Sequence, residues 1–126
     1  MLFDTEFLIR YAGQRGRAQK IATEKFEARH LDAPLYTSRI CWAEFAEGCV
    51  HEREVHTALA RFTLIEIDEA VAWQASRISR LLIRTGLHIG DNDVWIAATA
   101  LAYGLPLVSR NARHFSQVPG LTLAEY

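Results

Sequence analysis

The stretch GDNDVWIAATALAYGLPLVSRNARHF, residues 90–115, decides the reading of the fold. Asp91, Asn92 and Asp93 stand just before an uncharged run of 15 residues, 94–108. Its alanines and Leu101 make residues 94–103 a good helix former. Apolar residues fall on every side of that helix, which predicts a buried rather than an amphipathic element. Gly104 is placed to end it in the C′ position. Residues 105–108 then read as a short buried strand. Ser109, Arg110 and Asn111 follow at its C-terminal end. Carboxylates at the mouth of a buried helix, beside polar groups at the end of the next strand, stand where open α/β sheets hold ligands.

Working back from there, residues 1–4 look like the end of a short strand, with Asp4 at its C-terminal edge. Residues 5–12 and 17–30 read as helices separated near Gly13 and Gly16. Ala18, Ile21, Ala22 and Phe26 are the expected inner face of the second. Pro34 opens a strand over 35–37, and Ser38 is placed to cap the helix after it. There Trp42, Phe45, Ala46, Cys49 and Val50 recur at i, i+3, i+4, i+7 and i+8, a core stripe, with Glu44 and Glu47 off it. A further helical stretch covers 54–62, and 63–67 alternates into a strand. Asp68 then caps a long helix to Thr85, closed by Gly86, with Val71, Ala75, Ile78 and Leu82 on its buried face. A short segment, 121–123, completes the chain. Strands alternating with helices predict one α/β domain over residues 1–126. Its central, mainly parallel sheet of four to five strands carries helices on both faces.

At 126 residues, half of them hydrophobic, the chain has material for one real core. The uncharged run is broken by Gly104 and Pro106 and falls short of the ~20 residues a membrane span needs. The N-terminus has neither a basic start nor a long apolar region, so no signal peptide is expected. Cys41 and Cys49, on one predicted helix, would lie ~12 Å apart, too far for a disulfide. Two reduced thiols without a signal point to the cytoplasm. A net charge of −1 does not announce a nucleic-acid binder. The basic side, however, is nearly all arginine, with Lys20 and Lys25 its only lysines. Arginine's planar fork suits phosphate. A metal that neutralised three acids would turn the net charge positive.

Asp4, Glu44 and Asp93 come from three separate elements. If they converge, each pair at ~5 Å and an effective dielectric of ~20 costs roughly 3 kcal/mol. A helix N-terminus returns only ~0.3–1 kcal/mol per carboxylate. Such a cluster therefore needs a cation or a proton, and oxygen ligands select hard ions such as Mg²⁺ or Mn²⁺. Taken singly, each acid has an ordinary account: Asp91 and Asp93 as caps, Glu44 as a solvated helix residue.

Asp4-Thr5 followed by Phe7-Leu8-Ile9 resembles the D-T-x-x-L/I opening of the PIN domain family. The Glu44 helix, the run Asp93, Ile96, Ala97, Ala98 and Ala100, segment 105–111 and His114-Phe115 resemble its later motifs in the right order. The likeness spans nearly the whole chain and is closest to VapC-type toxins of bacterial toxin–antitoxin pairs; the Ile-Ala-Ala run is its most specific piece. It implies a three-layer PIN-like fold and a Mg²⁺- or Mn²⁺-dependent endoribonuclease. Asp4, Glu44 and Asp93 match the family's acidic metal-binding positions. Asn111 stands where many relatives carry a fourth acid and completes the expected catalytic set, so a second metal, if used, should bind more weakly. Relatives often have asparagine or serine where this chain has Glu6, which either joins the site or faces solvent. A metal held by carboxylates supplies a hydroxide and offsets charge on the scissile phosphate. No nucleophilic side chain is required, and Cys41 and Cys49 have no evident acid–base partner. His114 reads as a loop or substrate contact, because imidazole is not a preferred Mg²⁺ ligand.

Arg110 and Arg113 flank Asn111 and, with Ser109, are the candidate RNA contacts. Arg77, Arg80 and Arg84 share one helix face and read as solvated. Trp42, Trp73 and Trp95 read as core or interface residues. The resemblance implies an RNA substrate, a homodimer and a small cognate antitoxin. That antitoxin would lie across the N-terminal helices and bring a basic residue to the acids. Two other readings stand beside the toxin: a housekeeping RNA-processing nuclease, and a catalytically weak PIN domain that binds RNA or a protein partner. Asn111 keeps the last one open, and three intact acids argue against it.

Overall fold

The computed structural model describes residues 1–126. At its centre Leu2 and Phe3 form β1 (Leu2–Phe3), and both are fully buried. A strand with neighbours on each side and helices above and below has no face left for water. The chain continues through α1 (Thr5–Tyr11), α2 (Arg17–Ala28), β2 (Tyr36–Ser38), α3 (Arg39–Ala46), α4 (Glu52–Ala58) and β3 (Thr63–Ile65). Then come α5 (Glu69–Thr85), α6 (Asp91–Ala102), β4 (Leu107–Val108), α7 (Ala112–Phe115) and β5 (Leu123–Ala124). All five strands are parallel, in the order β3-β2-β1-β4-β5. Leu2 pairs with Tyr36 on one side and Leu107 on the other, and Phe3 with Val108.

The first three strands step one way from β1 and the last two the other. Right-handed crossovers therefore set α1–α4 over one face and α5–α7 over the opposite one. The reversal falls between β1 and β4, the place where such sheets leave a crevice at their strand ends. On the first face Phe3 meets Phe7, Phe26 and Phe62 at ring-centroid distances of 4.4, 6.2 and 5.7 Å. On the second, α5 buries Val71, Ala75, Ile78 and Leu82, as their spacing predicts. The Asp68 side chain accepts from Val71 N, and Gly86 closes α5 at φ 69°. The Tyr103 hydroxyl donates to Asp68, tying the end of α6 to the start of α5, so the two helices run antiparallel. No helix is long and apolar enough to cross a membrane.

Several elements differ from their sequence reading. In α2 Ala18 and Ile21 are exposed, while Thr23 and Phe26 are buried. The Phe26 ring, wedged between Phe3 and Phe7, sets the rotation of the helix, and the Thr23 hydroxyl is satisfied by the Lys20 carbonyl at 2.7 Å. The predicted stripe from Trp42 to Val50 stops early. α3 ends at Ala46, and Val50 is 85% exposed. Glu54 accepts from both Val50 N and His51 N at 2.8 Å, starting α4 and breaking the run. Cys41 and Cys49 thus lie on either side of a helix end; both are free thiols, although the single-helix spacing argument does not apply. β4 begins at Leu107, not Leu105. Gly104 N bonds Leu101 O at 3.2 Å and Leu105 N bonds Ala100 O at 2.9 Å, so Leu105 belongs to the helix end. Gly90, at φ 91°, is the N-cap of α6, so Asp91, Asn92 and Asp93 occupy its first turn rather than preceding it.

Candidate active site

Asp4 directly follows β1 and caps α1, its Oδ1 accepting from Phe7 N at 2.9 Å. Its Oδ2 accepts from the hydroxyl of Ser109, the residue after β4. The carboxyl is buried, and burial pushes its pKa up to about 6. The bonds from Ser109 and Phe7 oppose that rise, and the charges of Glu6 and Asp93 add to it. Glu44 reaches the same place from α3. It accepts from the Thr5 hydroxyl on one oxygen and from Asn92 Nδ2 on the other, the latter at 2.9 Å. Asp93 projects from the first turn of α6. Its Oδ2 lies 2.6 Å from His114 Nδ1 and accepts from Asn111 Nδ2 at 3.3 Å.

The three acids line one cavity of about 160 Å³, together with Glu6 and Asn111. It sits at the C-terminal ends of β1 and β4, where the sheet reverses. No lysine or arginine lines it. Glu6 joins the wall while pairing with Arg10 at 2.8 Å and Arg15 at 3.5 Å, which partly offsets its charge. Asp91 is exposed.

No set of three or more His, Cys, Asp or Glu side chains is drawn together closely enough to hold a metal ion. The donor chemistry fits a hard cation all the same: four carboxylates line one cavity, and three of them, Asp4, Glu44 and Asp93, pair with no lysine or arginine. Each oxygen that accepts one hydrogen bond keeps further acceptor capacity. Asp4 in particular is held toward its protonated form, chiefly by burial and further by the charges of Glu6 and Asp93.

Ser109 differs from its reading as an RNA contact: it is buried, and its hydroxyl holds Asp4. The Arg110 guanidinium stacks 4.8 Å over the Tyr126 ring and donates to the Tyr126 carbonyl at 2.8 Å, so it is directed to the chain end instead of standing free beside Asn111. Arg113 is exposed and forms no ion pair. Asn111 does reach the site, with Nδ2 rather than its oxygen toward Asp93. His114 bonds an acid of the site, where the sequence suggested a loop or substrate contact. Thr5, Asn92 and Ser109 complete the set of residues that orient the acids. Only their positions beside Asp4, Asp93 and Asn111 in sequence hinted at those roles.

Residues 1–121 match the PIN domain family. Ribonuclease VapC1 of Methanocaldococcus jannaschii is 30% identical over 129 residues, covering 100% of this chain and 86% of that protein. Ribonuclease VapC10 of Mycobacterium tuberculosis is 32% identical over 117 residues, 91% of this chain and 85% of that one. VapBC2 from Rickettsia felis, solved bound to a DNA fragment from the promoter, superposes with a TM-score of 0.80 at 22% identity, over 99% of this chain and 97% of that one. A toxin–antitoxin complex from Klebsiella pneumoniae gives a TM-score of 0.68 at 29% identity, over 99% and 98%. With the acids gathered at the switch point of the sheet, these matches establish that the chain belongs to the PIN domain family, as a VapC-type member.

Proposed function

We propose that this protein is a divalent-metal-dependent endoribonuclease, the toxin of a toxin–antitoxin pair, using Mg²⁺ or Mn²⁺. The observation that carries this reading is the cavity at the sheet's switch point, lined by Asp4, Glu44 and Asp93 with no cation in its wall. Those three carboxylates would hold the ion. When bound, the metal supplies a hydroxide from its water and offsets charge on the scissile phosphate.

The chain's own residues hold the ligands in place. Ser109 and Phe7 N fix both oxygens of Asp4, Thr5 and Asn92 fix Glu44, and His114 with Asn111 fixes Asp93. The buried Cys41 thiol is not a rival nucleophile. Burial pushes the Cys41 thiol up to about 11, so it stays protonated near neutral pH.

RNA is the substrate in this reading, a small cognate antitoxin is the inhibitor, and the active species is a homodimer. VapBC complexes among the structural relatives support the antitoxin. The test is cleavage of an RNA substrate at rising Mg²⁺, with and without chelator, by the wild type and by Asp93→Asn. Cleavage that needs the cation and is lost in the variant is expected. A folded Asp93→Asn that cuts at the wild-type rate overturns the assignment.

A further inference from the structure

α5 carries a basic surface that the cavity does not use. Arg77, Arg80 and Arg84 are all exposed and lie on the side opposite the buried Val71, Ala75, Ile78 and Leu82. Elsewhere Arg10, Arg15, Arg39 and Arg61 each pair with a glutamate, but none of these three has an acidic partner. The helix has no acid after Glu69. A solvated helix face ordinarily mixes signs, whereas a row of like charges destabilises its own helix. The Arg77 guanidinium lies 4.3 Å over the ring of Trp73, which is 59% exposed. Ser76, Ser79, Arg80, Ile83 and Arg84 line a shallow groove of about 500 Å³ beside it.

We propose that this face of α5 is a track for the phosphate backbone of single-stranded RNA, leading toward the acidic cavity. This assignment rests on the ribonuclease reading above. At ~1.5 Å per residue the arginines step along the helix by roughly 4.5 and 6 Å, comparable to the separation of neighbouring phosphates in a nucleotide strand. Each guanidinium presents a fork that fits phosphate oxygens, and Trp73, with Arg77 stacked over one face and the residue more than half exposed, leaves ring surface for a base. The row also points the right way. α5 and α6 are antiparallel and joined by residues 86–90, so the Arg84 end lies at the end of the molecule that bears Asp93. A second copy of the chain suits this face poorly, because a two-fold contact would set the arginine rows against each other.

The test is binding of a labelled single-stranded oligoribonucleotide in EDTA, so that cleavage does not intervene, across a salt series. The combined variant Arg77→Gln/Arg80→Gln/Arg84→Gln should bind at least about tenfold more weakly at low salt. Its slope of log K against log salt should fall by about 2, from three phosphates at ~0.7 each. The triple lysine variant should keep most of the slope, and Arg29→Gln/Arg53→Gln should resemble wild type. With Mg²⁺ present, half-saturation of cleavage should move to higher RNA concentration while the saturated rate holds. An unchanged slope in the glutamine variant overturns the track. So does a change in mass by light scattering with RNA binding intact, which assigns the face to a second copy, or a loss seen with a DNA duplex but not with RNA. Because this readout needs no cleavage, its outcome is separate from that of Asp93→Asn.

Discussion

At the scale of single residues, Asp4 carries two functions that pull in opposite directions. It caps α1, and it presents a buried carboxylate to a cavity without cations. Its folded pKa, about 6, lies above the ordinary value of 3.8. A group raised in this way favours folding below its unfolded pKa, and the contribution is lost as pH rises through the folded pKa. Without metal, the protein should therefore lose on the order of 3 kcal/mol of stability between about pH 4 and pH 6. Asp4→Asn keeps an oxygen for Phe7 N and should flatten that dependence while abolishing cleavage; Asp4→Ala also forfeits the cap, about 1 kcal/mol. Melting temperature against pH in EDTA checks this, and an equally steep fall in Asp4→Asn would assign it to another group. Asn111→Asp should act the other way. It adds a fifth carboxylate to the cavity, about 3 Å from Asp93 (the amide nitrogen it replaces is at 3.3 Å). Metal-free stability should drop and cleavage should saturate at lower Mg²⁺. Matching titration and melting curves for the two proteins would place Asn111 outside the metal site. Asp4, Glu44, Asp93 and Asn111 line one cavity, a convergence that motif order led us to expect. The roles of Ser109 and His114 were not legible in the sequence, because they depend on partners 105 and 21 positions away.

At the scale of elements, local chemistry and the buried face of α5 were legible, whereas the rotation of α2 and the end of α3 were not. Asp68 and Gly86 bound α5 as their residue types dictate, and Ser38 caps α3 through Cys41 N at 3.0 Å. The end of α3 was hidden because apolar periodicity continues past Gly48, while Glu54, further on, does the capping. The rotation of α2 was hidden because Phe26 finds its ring partners on other elements. Two glycines separate local strain from site geometry. Gly90 at φ 91° and Gly104 at φ 61° both have open space where a Cβ would stand. Replacing either with alanine therefore costs conformational strain alone, about 1–3 kcal/mol. Gly90→Ala should also blunt the rise in melting temperature on adding Mn²⁺, since it shifts the turn that aims Asp93. Gly104→Ala, at the far end of α6, should leave that rise intact. Thermal melts with and without Mn²⁺ check the pair, and equal metal responses would show that Gly90 does not aim the site.

At the scale of the molecule, alternating strands and helices indicated a parallel sheet, but nothing local fixed the strand order. That order places β1 beside β4, and so Asp4 beside Ser109 and Asn111. The cavity is a product of topology: α3 brings Glu44 from one face and α6 brings Asp93 from the other. In the proposed reading, repulsion among these acids would favour a cation in the folded protein alone, and binding of that kind would stabilise the fold. The most direct test is calorimetric titration of Mn²⁺ into the wild type and into Asp4→Asn/Glu44→Gln/Asp93→Asn, both confirmed folded. Saturable binding by the wild type that disappears in the triple variant is the predicted result. The same binding heat and affinity in both proteins would contradict a shared metal site.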